Sequence, residues 1–286
     1  RLSVLDENSR SVAVGKPERF DEGKGVRVSL PKLGEGHYTV SYSVISADGH
    51  PVSGAYVFTV GRPAPLPDTG RLDPHAQVGH QHGGAAVQDR QWLLYAARIA
   101  YYAGLLATAG LALWSLLRSV SPFVRETRER LLSFAGKFAL LSTLAYVVLS
   151  LADLAQNEPL SEWLRIVRDT TVGRLYAGEL LLALAAPLLA SLGAAGRAFW
   201  AAVFLGIEAW SGHAAAFEPK AYAIGLDFIH LASASLWAGG LVLLLAVWLK
   251  ERPEAGRFAL VFSRWALISF LALWATGILS VLKFLP

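Results

Sequence analysis

Three short stretches carry side chains that could do chemistry together. "DFIHLASASLWAGG" contains Asp227 and His230, three residues apart, a spacing that puts both on one face of a helix. "WSGHAAA" contains His213, fourteen residues before Asp227. "SADGHPVSG" contains Asp48 and His50, two apart at a turn. The chain has no cysteine and no methionine, so sulfur ligation of a soft metal is excluded and nitrogen and oxygen donors remain. Two imidazoles and a carboxylate suit a divalent metal ion. Each histidine alone fits a helix-packing hydrogen bond better. It is the convergence of His213, Asp227 and His230 at one depth that points to a metal. Glu208, deeper in its segment, fits a relay or supporting acid and a packing hydrogen bond equally well.

These residues must be positioned by the segments around them, and those are membrane-like. The chain has 286 residues, 54% hydrophobic. From Trp92 onward, six apolar runs are predicted to span a bilayer: about 92–117, 133–154, 174–192, 197–214, 221–248 and 259–285. Each approaches the roughly 20 residues that cross the hydrocarbon core, the fourth being the shortest. Residues 1–91 hold ten basic and ten acidic side chains, so the whole net charge of +4 lies in 92–286. That small, localised excess argues for loops on the cytoplasmic side and against nucleic-acid binding. Ten basic residues fall in alternate loops: Arg118, Arg125, Arg128, Arg130 and Lys137, then Arg197, then Lys250, Arg252, Arg257 and Arg264. With these inside, the segment before Trp92 and the connection between the fourth and fifth spans lie outside. That short outer connection brings His213 to the level of Asp227 and His230. Ser233, Ser235, Gly239 and Gly240 predict close helix packing. Asp153, Arg174 and Glu179 are expected to form a structural ion-pair cluster, and Trp163, Tyr176, Trp210 and Tyr222 to lie at the membrane interface.

Residues 1–61 read as β structure. His37–Ile45 alternates, with Tyr38, Val40, Tyr42 and Val44 on one face. Ala55–Val60 alternates again, and Val26–Leu30 is a shorter strand. Three or four strands in 61 residues predict a small sandwich. Residues 62–91 are a Pro-, His- and Gly-rich linker, whose His75, His80 and His82 fit a solvated tract better than a binding site. His37, on a strand, is expected to be exposed. Asp48 and His50 offer oxygen and nitrogen donors suited to Cu(II), and equally fit an Asx-type turn followed by a surface histidine.

The stretch "GHYTVSYSVISADGHPVSGAYVFTVG" resembles the C-terminal half of CopC, a periplasmic copper-binding β-sandwich. The resemblance implies a Cu(II) site at Asp48 and His50, completed in that family by the amino-terminal histidine. Residue 1 here is arginine, and the first strands and a leader are expected to precede it. "TVGRLYAGELLL", "SGHAAA" and "DFIHLASASLWAGGL" resemble CopD, the membrane partner often fused to CopC. CopD proteins have about eight spans, so a further segment is expected beyond Pro286.

The reading is a CopC–CopD fusion: a partial all-β CopC-like sandwich (1–61), a linker (62–91) and an all-α membrane bundle (92–286), in the cytoplasmic membrane with the β domain outside. It is a copper transporter rather than an enzyme, its partners copper and the lipid bilayer, with self-association left open. The resemblance implies uptake, with copper captured outside and accepted in the membrane at His213, Asp227 and His230. No ATP-binding motif is present, so movement would be passive or ion-coupled. Two alternatives stay open: haem held by His213 and His230 in a membrane oxidoreductase, and a copper-binding accessory or sensor that does not transport.

Overall fold

The computed structural model describes residues 2–6, 10–12, 14–20, 25–45, 51–61, 85–117, 120–155, 160–211 and 219–284. The chain divides into two compact units, Arg1–Gln88 and Asp89–Pro286.

The first unit contains five strands: β1 (Leu2–Leu5), β2 (Val14–Phe20), β3 (Gly25–Ser29), β4 (Gly36–Ile45) and β5 (Pro51–Val60). β4 pairs antiparallel with β5 over its whole length, from Gly36 opposite Val60 to Ile45 opposite Pro51, and β1 adds to its other edge. β2 and β3 form a separate antiparallel pair. The alternation expected in β4 is realised at its centre: Tyr38 and Val40 are buried with Val4, and Phe58, Val60 and Val28 pack against them. Tyr38 stacks on Phe58 at 5.5 Å and donates from its hydroxyl to the Gly34 carbonyl. The pattern fails toward the end of β4, where Val44 is exposed. β1 and β2 were not legible: β1 has four residues, and β2 carries Lys16, Pro17, Glu18 and Arg19, with a register shift between Val14 and Glu18. Such a charged, proline-containing segment lacks the period-two signal and suits only an edge.

The second unit is helical: α1 (Ala85–Trp114), α2 (Pro122–Ala155), α3 (Leu160–Asp169), α4 (Thr171–Ala185), α5 (Ala194–Ser211), α6 (Lys220–Lys250) and α7 (Arg252–Phe284), with a 3-10 segment at Ala186–Ser191 after α4. Pro187 ends the α-helical pattern of α4 by removing a backbone donor. Among the described residues, five helical segments are long and apolar enough to cross a membrane, one of them α4 extended by the 3-10 segment. They coincide with five of the six expected spans. The sixth, α5, is 18 residues long and carries Arg197 near one end and Glu208 near the other, both buried against neighbours. Leu245, Leu249, Leu260, Phe270, Leu271 and Trp274 stand exposed on α6 and α7, as a lipid-facing surface requires. The short α3 concentrates its polar residues on one side, and Thr170 caps the start of α4 by accepting from the Gly173 amide.

The small residues of α6 work as expected. Gly239 meets Gly110 of α1 so closely that a Cβ on Gly239 would lie 2.6 Å from the Gly110 Cα. Gly240 leaves room for the Phe262 and Trp114 rings, and the Trp114 indole donates to the Leu236 carbonyl at 2.8 Å. Backbone contact of this kind substitutes for the hydrophobic drive that a lipid environment removes.

The end of this unit that bears the basic loops is closed by a buried charge cluster. Arg197 donates from Nε to the Leu189 carbonyl, from one terminal nitrogen to Ala190 and from the other to Glu129. Arg128 donates to the Trp114 carbonyl at the end of α1 and to Glu129. The two guanidinium groups satisfy carbonyls left open where α1 and the 3-10 segment terminate.

Candidate metal centre

Asp227 and His230 lie in the first half of α6, both half-buried and within electrostatic reach of each other. α6 and α7 are joined by Glu251 alone and run back along one another, which sets the first half of α6 beside the last part of α7. There His230 Nδ1 lies 2.9 Å from the Thr276 hydroxyl oxygen. That hydroxyl donates its own hydrogen to the carbonyl of Ala272, at 2.7 Å. With its hydrogen given to that carbonyl it can only accept from His230, which fits the imidazole tautomer protonated at Nδ1. In that tautomer Nε2 is the ring nitrogen left to bind a metal.

The surroundings of this pair are polar and come from four helices. Asp227 is also within electrostatic reach of Glu208 on α5. Glu208 accepts from Tyr101 at 2.5 Å on one oxygen and from Tyr102 at 2.6 Å on the other, both on α1. Arg98, one turn before Tyr102, sits 5.9 Å above the Tyr102 ring. Tyr101 stacks on Tyr146 of α2 at 4.8 Å, and Tyr146 meets Tyr176 of α4 edge-on. Glu179 of α4, one turn after Tyr176, is buried within reach of Tyr101 and Glu208.

Of the sequence-predicted ligands, Asp227 and His230 are thus brought together. His213, Asp48 and His50 lie outside the described residues, as do His75, His80 and His82. Among the described residues no group of three or more His, Asp and Glu side chains is arranged as a metal site. His37 is only partly exposed and pairs with Thr59 across β4 and β5 at 3.1 Å. The expected ion pairing of Asp153, Arg174 and Glu179 is not found among the described residues. Arg174 is exposed whereas Glu179 points into the bundle. Tyr176, expected at the interface, is packed against Tyr146 inside it. Trp210 and Tyr222 are exposed. The Tyr101–Tyr102 pair was missed, although two adjacent tyrosines in an apolar helix opposite an intramembrane glutamate are a readable signal. Thr276 gave none.

Residues 1–61 match the CopC domain family, and residues 88–223 match the family described as copper resistance protein D-like, N-terminal domain. A protein of Bacillus subtilis (strain 168) described as copper transport protein CutJ is 28% identical over 301 aligned positions, covering 98% of this chain and 54% of that relative. The chain therefore spans about half the length of the curated relative it matches. No solved structure matches it.

Proposed function

We propose that this chain, a CopC domain at its N-terminus followed by a CopD-like membrane domain, carries copper ions inward across the cytoplasmic membrane. In this reading the CopC domain lies outside, with Asp48 and His50 donating to Cu(II), and the membrane domain accepts the ion at His213, Asp227 and His230. The printed name of the Bacillus subtilis relative supports copper as the cargo. The observation that supports the membrane site is the His230–Thr276 hydrogen bond beside Asp227, which engages Nδ1 and fits the tautomer in which Nε2 would bind the ion. The basic end of the bundle, closed by Arg128 and Arg197, supports an inward orientation for that end.

Neutral imidazole and carboxylate together suit Cu(II), and imidazoles alone can hold Cu(I). His230 supplies one nitrogen, His213 a second, and Asp227 offsets the charge of the ion in a low-dielectric setting. The test is copper uptake into proteoliposomes, with copper stoichiometry on the same protein. Asp48→Asn with His50→Ala removes the outer donors in every sample. On that background His213→Ala and His230→Ala each abolish most membrane-site copper and uptake, and Asp227→Asn weakens both less. Wild-type stoichiometry and uptake in both histidine variants would reduce these residues to helix packing.

A further inference from the structure

Glu179 is 1% exposed, in the middle of an apolar helix, and among the described residues neither of its carboxylate oxygens has a hydrogen-bond partner. No role assigned above uses it. The groups facing it come from four helices: Tyr101 on α1, Tyr146 on α2, Tyr176 on its own helix, and Glu208 and Ser211 on α5. None of these is basic. Arg98 lies within electrostatic reach of Glu208 and of Tyr102.

The two glutamates are therefore unlike. Glu208 receives two phenolic donors, one on each oxygen, which stabilise an anion. Glu179 receives none, because its neighbours Tyr101 and Ser211 direct their hydroxyl hydrogens to Glu208 instead. Two carboxylates at such proximity in a water-poor interior do not both ionise. A charge without donors at this burial is far more costly than a neutral acid. The chemistry selects the smallest cation. A metal ion demands several donors. A proton needs one oxygen.

We propose that Glu179 is a proton-binding site of the membrane domain, holding its proton beside Glu208 and releasing it when a cation enters the bundle at Asp227 and His230. Asp227 is within reach of Glu208, and Glu208 of Glu179, so positive charge at the first is felt along the row. The added charge favours a second ionised carboxylate. The O–H bond of Glu179 breaks, its electron pair stays on the carboxylate, and water takes the proton. Release on cation entry rests on the copper reading above; proton occupancy of Glu179 does not.

Two measurements on the full chain in nanodiscs separate these. Infrared spectra at neutral pH show the carbonyl stretch of a protonated carboxyl in the wild type, and it disappears in Glu179→Gln. Glu179→Asp, which keeps the acid, retains a shifted band and guards against a folding artefact. Absence of the band in the wild type, or its survival in Glu179→Gln, overturns the proposal. Copper is then added in weak buffer with a pH-indicating dye, and bound copper is counted in the same samples. The wild type releases about one proton more per bound copper than Glu179→Gln. Equal release with copper bound overturns the coupling. Failure of the wild type to bind copper defeats the copper reading instead, and the infrared band still decides Glu179.

Discussion

Replacing Thr276 by valine tests the orientation of His230 without touching a ligand. The two side chains have nearly the same shape, so what is lost is the hydroxyl that accepts from Nδ1 at 2.9 Å and donates to the Ala272 carbonyl at 2.7 Å. Thr276 is 5% exposed, so water does not readily replace it. A neutral hydrogen bond contributes about 0.5–1.5 kcal/mol, and the imidazole also loses the partner that fixes its tautomer and ring plane. Loss of such supporting partners weakens metal binding about 10–100-fold, or about 1.4–2.8 kcal/mol. Thr276→Val is therefore expected to raise the copper Kd by that factor, and Thr276→Ser, which keeps the hydroxyl, to stay near the wild type. The assay is competition with a chelator of known affinity on the full chain. Nitrogen NMR of His230 reads the tautomer directly: proton on Nδ1 in the wild type, mixed in the valine variant. An unchanged Kd in Thr276→Val, with folding intact, would refute the orientation argument.

Further outcomes concern the frame of the bundle. Gly110→Ala would drive a methyl into the Ser235 carbonyl where α1 and α6 touch, and Gly239→Ala would press on Gly110 in return. Each is expected to destabilise by about 1–3 kcal/mol, read as a fall in Tm, and an unchanged Tm would deny the close approach. Arg197→Ala strips the Leu189 and Ala190 carbonyls of their donor and leaves Glu129 with Arg128 alone, for a loss of about 3–5 kcal/mol in denaturant unfolding. Arg197→Lys recovers only part of it, because an ammonium cannot reach all three acceptors. In this cysteine-free chain, Ala216→Cys and Arg257→Cys should label from opposite sides with an impermeant reagent. Labelling from the same side would overturn the orientation.

The hydrophobic runs made the membrane helices legible because each is long and uninterrupted, and the alternation in β4 made its central residues legible as core. What escaped was decided by tertiary partners. α5 carries an arginine and a glutamate that a hydropathy count can only penalise. The structure satisfies the first with carbonyls and Glu129 and the second with two phenols. Glu179 and Arg174, five residues apart, read as a pair, yet five residues put them on different faces of α4, and one faces the bundle while the other is exposed. The Asp227–His230 spacing was sufficient to place both on one helix. The partner that orients His230, Thr276, lies 46 residues away on α7, beyond any local pattern.

The two ends of α5 show why the carboxylate end reads as a working site and the arginine end as a fastening. Arg197 and Glu208 are eleven residues apart, about 16 Å at the helical rise. At the Arg197 end every nitrogen of that guanidinium has an acceptor, although Nε of the neighbouring Arg128 has none. At the Glu208 end, one carboxylate is satisfied by two tyrosines while Glu179 beside it is left without a donor, and His230 is held at Nδ1 by Thr276. Buried polar atoms without partners destabilise a fold by about 1–3 kcal/mol each, and packing alone gives no reason to keep them. A proton at Glu179 would remove one of these deficits. Occupancy of the site is expected to raise the stability of the membrane domain, and copper should raise its Tm in the wild type but not in His230→Ala.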